Sequence, residues 1–185
     1  MRVGYRVQQF LVALNLRGPV DEAELRAHLS PAQVELFRQM PSSDQRHALA
    51  VLHTLQRRGS CEPALAQAAL LHDVGRVLPE LAEDAGHDGQ STSIRVWHRV
   101  AAVLLEAFNP VLLRRLALNN PGSWRYAFFV LLHHASRGAK IAQTAGTDPL
   151  ALALIRWHHS APADSDLDPH GQALLAVLKS ADEQN

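Results

Sequence analysis

At 185 residues the chain has the length of one domain with room for a real hydrophobic core. Apolar residues make up 47% of it and 18 basic residues balance 18 acidic ones, a profile that excludes a disordered chain and argues against a nucleic-acid binder, which is normally basic. The single cysteine, Cys61, permits no internal disulfide, and neither a signal-peptide core nor an apolar run of membrane-spanning length is present, so a cytoplasmic protein with no membrane contact is expected.

Nearly every segment reads as helix. Tyr5–Leu16 carries Phe10, Leu11, Leu14 and Leu16 at helical spacing, and Gly18-Pro19 breaks it. Asp21 is the expected N-cap of the next helix, with Glu24 as its reciprocal partner. Ser30-Pro31 opens Pro31–Met40, where Val34, Leu36 and Phe37 supply an apolar face, and Pro41 ends it. Ser42 or Ser43 begins a helix over about Asp44–Arg58, closed by Gly59, and Ala64–Val74 follows, closed by Gly75. Residues 80–91 are acidic and non-periodic and read as a loop. A helix over Ser93–Phe108, a short one from Asn109-Pro110 to Leu118, a turn over 119–122 and an apolar helix over Ser123–His134 come next. Asp148-Pro149 and Asp168-Pro169 open the last two, Leu150–His158 and His170–Glu183. β-branched alternation is sparse. The expected fold is therefore all-α: one compact helical domain over 42–185 with a short N-terminal helical extension, 1–41.

Eleven histidines are many for this length, and several sit where apolar helices end. His47 interrupts RHALAVL. His72 and Asp73 close ALAQAALLHDVG, His133 and His134 follow FFVLL, His158 and His159 close LALIRWHH, and Asp182 closes ALLAVLKSAD. One such histidine is usually a hydrogen-bonded core residue or a helix C-cap. Recurrence at four helix ends and one helix interior asks for more, because burying an unpartnered polar group costs about 1–3 kcal/mol and a charge far more. Capping does not explain Asp182, since a carboxylate at a helix C-terminus is unfavourable. Imidazoles and carboxylates converging on one cleft suit a first-row divalent metal.

The ordered set resembles the HD superfamily of metal-dependent phosphohydrolases. LLHDVGR is similar to its HDxGK signature, HHASRGAKIAQTAG to the HPxxGA segment of HD-GYP and HDIG proteins, LIRWHH to the histidine-bearing helix end, and LLAVLKSADEQN to the closing helix with its last aspartate. The resemblance covers about 43–185. It implies that His47, His72, Asp73 and Asp182 ligate a metal, that His134 (rather than His133) and His158 complete a second site, and that His159 is a further ligand or substrate contact. It implies one or two divalent ions, iron or manganese first, with zinc, nickel, cobalt and magnesium as alternatives. The implied activity is hydrolysis of a phosphate ester or anhydride in a nucleotide or nucleotide-derived signal by a metal-bound hydroxide. Asp73 and Arg76 would be catalytic, and Arg76, Arg137 and Lys140 would contact the phosphate. The alternative is a non-catalytic nucleotide-binding or signalling scaffold.

Three departures matter. Arg76 stands where the family has lysine, keeping the charge and offering a fork for phosphate. SAPADSD follows His159 in place of the GYP triplet, which argues against cyclic-di-GMP. Ser43 replaces the carboxylate of trinuclear relatives. The segment Val77–Val130 is long enough to form a lid or substrate wall. Asp44, Gln45 and Arg46 line the cleft or form a solvated first turn. Arg95, Arg99, Arg114 and Arg115 are further candidates for phosphate. Trp97, Trp124 and Trp157 are expected in the core, and His28, His53, His87, His98 and His170 are expected to be structural or on the surface.

Overall fold

The computed structural model describes residues 20–60, 62–77, 94 and 96–185. The expected helix Tyr5–Leu16 and loop 80–91, with Cys61, His87 and Arg95, lie outside them. The described residues form an all-helical fold: α1 Glu22–His28, α2 Pro31–Arg38, α3 Ser42–Arg57, α4 Pro63–Leu71, α5 Val96–Phe108, α6 Pro110–Leu116, α7 Tyr126–Thr144, α8 Pro149–Trp157 and α9 Pro169–Asp182, with 3-10 turns at Val74–Arg76 and Pro162–Asp164. Among them no strand occurs and no helix is long and apolar enough to cross a membrane.

A polar cap followed by proline starts four of these helices. The side chains of Ser30, Asn109, Asp148 and Asp168 each accept a first-turn backbone N–H, and the proline after each removes a donor that would have had no partner. Asp21 caps α1 as expected, but Glu24 does not reciprocate: its carboxylate binds His53 Nε2 at 2.6 Å. The reciprocal partner that does form is Gln33, which closes a capping box on Ser30.

Helix α4 is the hub. Every residue from Ala64 to Leu71 except Gln67 is buried, the pattern of a helix surrounded on all sides. α1, α3, α8 and α9 pack around it, joining Leu25, Val51, Leu55, Leu154, Ile155, Leu175 and Leu178 into one core. Residues of α1 and α2 such as Leu25, Val34 and Phe37 belong to that same core. A smaller cluster, Ala102, Leu113 and Phe128, joins α5 and α6 to α7. Trp97 and Trp124 are not in a core: they are 47% and 53% exposed, stacked on each other and on Phe128 at the outer edge of this second cluster.

Two elements run differently from the sequence expectation. Helix α7 continues ten residues past His134, because Tyr126, Val130, His134, Gly138 and Ala142 form a buried stripe at four-residue spacing. α4 stops at Leu71, and Gly75 is not a left-handed cap. It lies in the turn Val74–Arg76, where a Cβ would fall on the carbonyl oxygen of His134 and 2.5 Å from the Gly138 nitrogen. Gly138 returns the closeness, with its own Cβ position 3.1 Å from the Gly75 nitrogen. The two backbones thus cross with no side chain between them. Gly75→Ala must force turn and helix apart. We expect it to lower stability by about 3 kcal/mol or more and the melting temperature by roughly 6–12 °C, readable by thermal unfolding.

Candidate metal centre

The crossing brings residues of five helical segments together, three of them at helix ends. His72 and Asp73 sit just past α4, His134 in the middle of α7, His158 and His159 just past α8, and His47 and Asp182 on α3 and at the end of α9. Asp73 is central. Its Oδ2 lies 3.5 Å from His72 Nε2, and its Oδ1 lies 3.5 Å from His134 Nε2. Asp182 Oδ1 is 2.8 Å from His47 Nε2 and 3.5 Å from His72 Nε2. His159 Nε2 is 2.7 Å from His134 Nε2. Five imidazoles form a chain, His47–His72–His158–His134–His159, with neighbouring ring centres 4.6–5.3 Å apart.

The orientation of three rings is fixed from behind. Nδ1 of His72, His134 and His158 lies 2.9, 2.7 and 2.6 Å from the carbonyl oxygens of Ala69, Leu131 and Ile155. A carbonyl only accepts, so each Nδ1 donates and each Nε2 is turned to the cluster. This is the backing that metal-ligating histidines receive. The inward atoms are left over. His72 Nε2, Asp73 Oδ1 and His158 Nε2 are buried with no hydrogen-bond partner. Three such orphans in one place cost about 1–3 kcal/mol each unless something binds them. Two groups, His47 with His72 and Asp73, and His134 with His158 and His159, each bring their ligand atoms within 4.8 Å of one another and can hold a metal ion. Imidazoles backed by carbonyls, with a buried carboxylate, make a donor set that fits a divalent first-row metal, which would take the place of the His72 proton.

Charge divides across the cluster. Burial pushes the Asp73 carboxyl up, but Arg76, His72, His134 and His47 outweigh it and hold the group well below the usual carboxylate range. Asp182 is held down in the same way, with His47 and His72 outweighing burial. Burial also lowers His72, yet Asp73 and Asp182 raise it to about 9. His158 is lowered to about 4, by burial first and the neighbouring His72 next. Burial likewise lowers His134 and His159 well below the ordinary value.

Four members of the cluster, His47, His134, His159 and Asp182, form the floor of a cavity of about 530 Å³, and His72, Asp73 and His158 are buried outside its lining. Arg76 lines it, its guanidinium paired with Asp73 Oδ2. Arg137 and Lys140 are not brought there. Arg137 braces the crossing, donating to the carbonyls of Gly75 and Val77 and to the Tyr126 hydroxyl, while Lys140 is exposed on α7. His133 is exposed and stacks on Phe129, which leaves His134 as the histidine of that pair in the cluster.

The opposite wall includes Asp44, a cleft candidate from the sequence, and Arg99, a phosphate candidate, but the sequence did not pair the two. Arg99 of α5 grips Asp44 of α3 with both terminal nitrogens, at 2.6 and 2.9 Å, and Asp44 is buried. Val100, Val103, Leu113, Leu131 and Leu132 complete that side. A pair 55 residues apart leaves no local signal.

No protein-family model, curated protein or solved structure matches the chain.

The charge pattern has a consequence for protein stripped of divalent ions. The charged His72 ring adds stability that is complete below its unfolded value of 6.5 and is lost as pH rises through about 9. His158 acts in the opposite direction. Its unfolded ring takes a proton below 6.5 that the folded ring refuses until about 4, so stability falls as pH drops through that range. The melting temperature of stripped protein should peak near pH 6.5 and fall both as pH rises toward about 9 and as it drops toward about 4. His72→Gln should abolish the alkaline fall. A parent whose melting temperature is no more sensitive to pH between 6.5 and 9 than this variant would show that His72 carries no proton there.

Proposed function

We propose that this chain is a metal-dependent phosphohydrolase of the HD type, acting in the cytoplasm on a phosphate ester or anhydride of a nucleotide or nucleotide-derived molecule. One observation carries the reading: three buried ligand atoms, on His72, Asp73 and His158, face one another without hydrogen-bond partners. They come from segments whose order along the chain is that of the HD ligand set. His47, His72, Asp73 and Asp182 would hold one ion, and His134, His158 and His159 a second, with iron or manganese best suited to the mixed donors. When bound, the ion supplies Lewis acidity that polarises the phosphoryl group and acidifies water.

The chain's own residues do the rest. The carbonyl-backed rings keep their lone pairs aimed inward and spend no reorganisation on binding. Asp73, held ionised and facing both groups, supplies anionic charge between them. Arg76 lies where its fork can grip the phosphoryl oxygens as charge builds on them. The apolar wall of α5 and α7 keeps water away from the ester. Among the described cavity residues the one serine, Ser43, donates to Asp44 rather than to a histidine, and no cysteine is present, so these residues offer no serine–histidine or cysteine–histidine nucleophile.

Metal analysis tests this on protein purified without an affinity tag and reconstituted with iron(II) or manganese(II). The parent should hold about one to two equivalents and hydrolyse members of a nucleotide panel. A His72→Ala, Asp73→Ala double variant should lose both metal and turnover. His134→Ala should lose metal while His133→Ala keeps it. Turnover that survives the double variant, or a parent that binds no divalent ion, sinks the proposal.

A further inference from the structure

We propose that the cavity selects a substrate with a single phosphoryl group on an apolar, ring-bearing body, of the nucleoside monophosphate class, and turns polyphosphates away. This rests on the phosphohydrolase reading of the same site. The first observation is how the cations are held. The described lining contains two arginines. Arg76 gives Asp73 one terminal nitrogen, and its Nε has no hydrogen-bond partner, so part of its fork is left for a phosphoryl group. Arg99 has both terminal nitrogens on the buried Asp44, so turning it to a phosphate would strand a buried carboxylate. Among the described residues, a chain of two or three phosphates would therefore find one cation, Arg76, beside the histidine floor and no second one in the rest of the lining.

The second observation is what stands further out. Beyond the floor the wall is apolar: Val100 and Val103 of α5, Leu113 of α6, and Leu131 and Leu132 of α7. At its edge come two exposed carboxylates, Glu106 at the end of the α5 stripe and Glu183 just past α9. Arg99, Val103 and Glu106 share one face of α5 and span ~10 Å along it, the reach of one sugar and one base. A single phosphoryl group at the floor thus puts its organic body on the apolar wall, whereas added phosphates run into apolar side chains and an acidic rim. Specificity here comes from the repulsive element as much as the attractive one.

Equilibrium binding separates this inference from turnover. The probes are the 5′-phosphonate analogue of AMP, which has no ester bond to cleave, and the same phosphonate extended by two phosphates. Each is titrated into full-length, manganese-loaded protein by calorimetry, with manganese in excess. The single phosphonate should bind at least ~10-fold tighter, and Glu106→Gln with Glu183→Gln should narrow the ratio by strengthening the extended ligand. Equal or tighter binding of the extended ligand, or a ratio the double variant leaves untouched, overturns the proposal. If the predicted order of binding holds but no ester is hydrolysed, the selection stands and the phosphohydrolase reading fails. If esters are hydrolysed but polyphosphates bind better, the reverse is true.

Discussion

Asp73 reaches His134 only because Gly75 and Gly138 put nothing but backbone between the turn after α4 and the middle of α7. Any side chain at Gly75 would occupy the space of the His134 carbonyl. That contact sets the height of the α4 end above α7, and with it the distance between the two groups of ligand atoms. α8 packs against both α4 and α7, so His158 and His159 arrive at a level already decided. α3 and α9 lie on the far side of α4 and bring His47 and Asp182 to the other face of His72. The site is thus a consequence of one close crossing, held by Arg137 from the side.

The bonds behind the rings serve twice. His72 and His158 stand at the C-terminal caps of α4 and α8, where backbone carbonyls run out of amide partners. Their Nδ1 atoms donate to the carbonyls of Ala69 and Ile155, which closes the helix ends. The same bonds fix the tautomer that turns Nε2 inward. Capping and ligation, which look like competing accounts when the sequence alone is read, are two ends of one imidazole. His134 repeats the device within a helix, donating to Leu131.

What could be read from the sequence divides along the same physical line. Local signals were clear: cap-proline pairs announce the starts of α2, α6, α8 and α9, and an unbroken apolar run announces the buried α4. The cluster itself was legible because its members each interrupt or end an apolar helix, so burial could be inferred for His72, Asp73, His134 and His158 one at a time, and half-burial for Asp182. Long-range choices left no trace. Arg137 and Lys140 follow His134 closely in sequence, but helical rotation turns Lys140 to solvent and sends Arg137 to the carbonyls of the turn. Arg99 and Asp44 meet only because α5 folds over α3. The far half of α7 was missed because Ser136, Arg137 and Lys140 hide a stripe that reappears every fourth residue.

The cluster also runs against what stability alone would favour. Buried ionic networks are often replaced by apolar side chains of similar volume with no loss, or with a gain, and the position of this one, at the end of the most apolar helix in the chain, offers ready packing partners. Instead the fold keeps Asp73 ionised at 1% exposure, balanced by Arg76 and the raised His72, and leaves one of its oxygens and two ring nitrogens without partners. Core burial around Leu65, Leu70, Leu154 and Ile155 is extensive enough to hold these groups in place against their cost. Strain kept where it is not needed for folding marks a site at which something else completes the structure. The atoms left open, two imidazole nitrogens and a carboxylate oxygen facing inward, are donors of the kind that could hold a divalent metal ion.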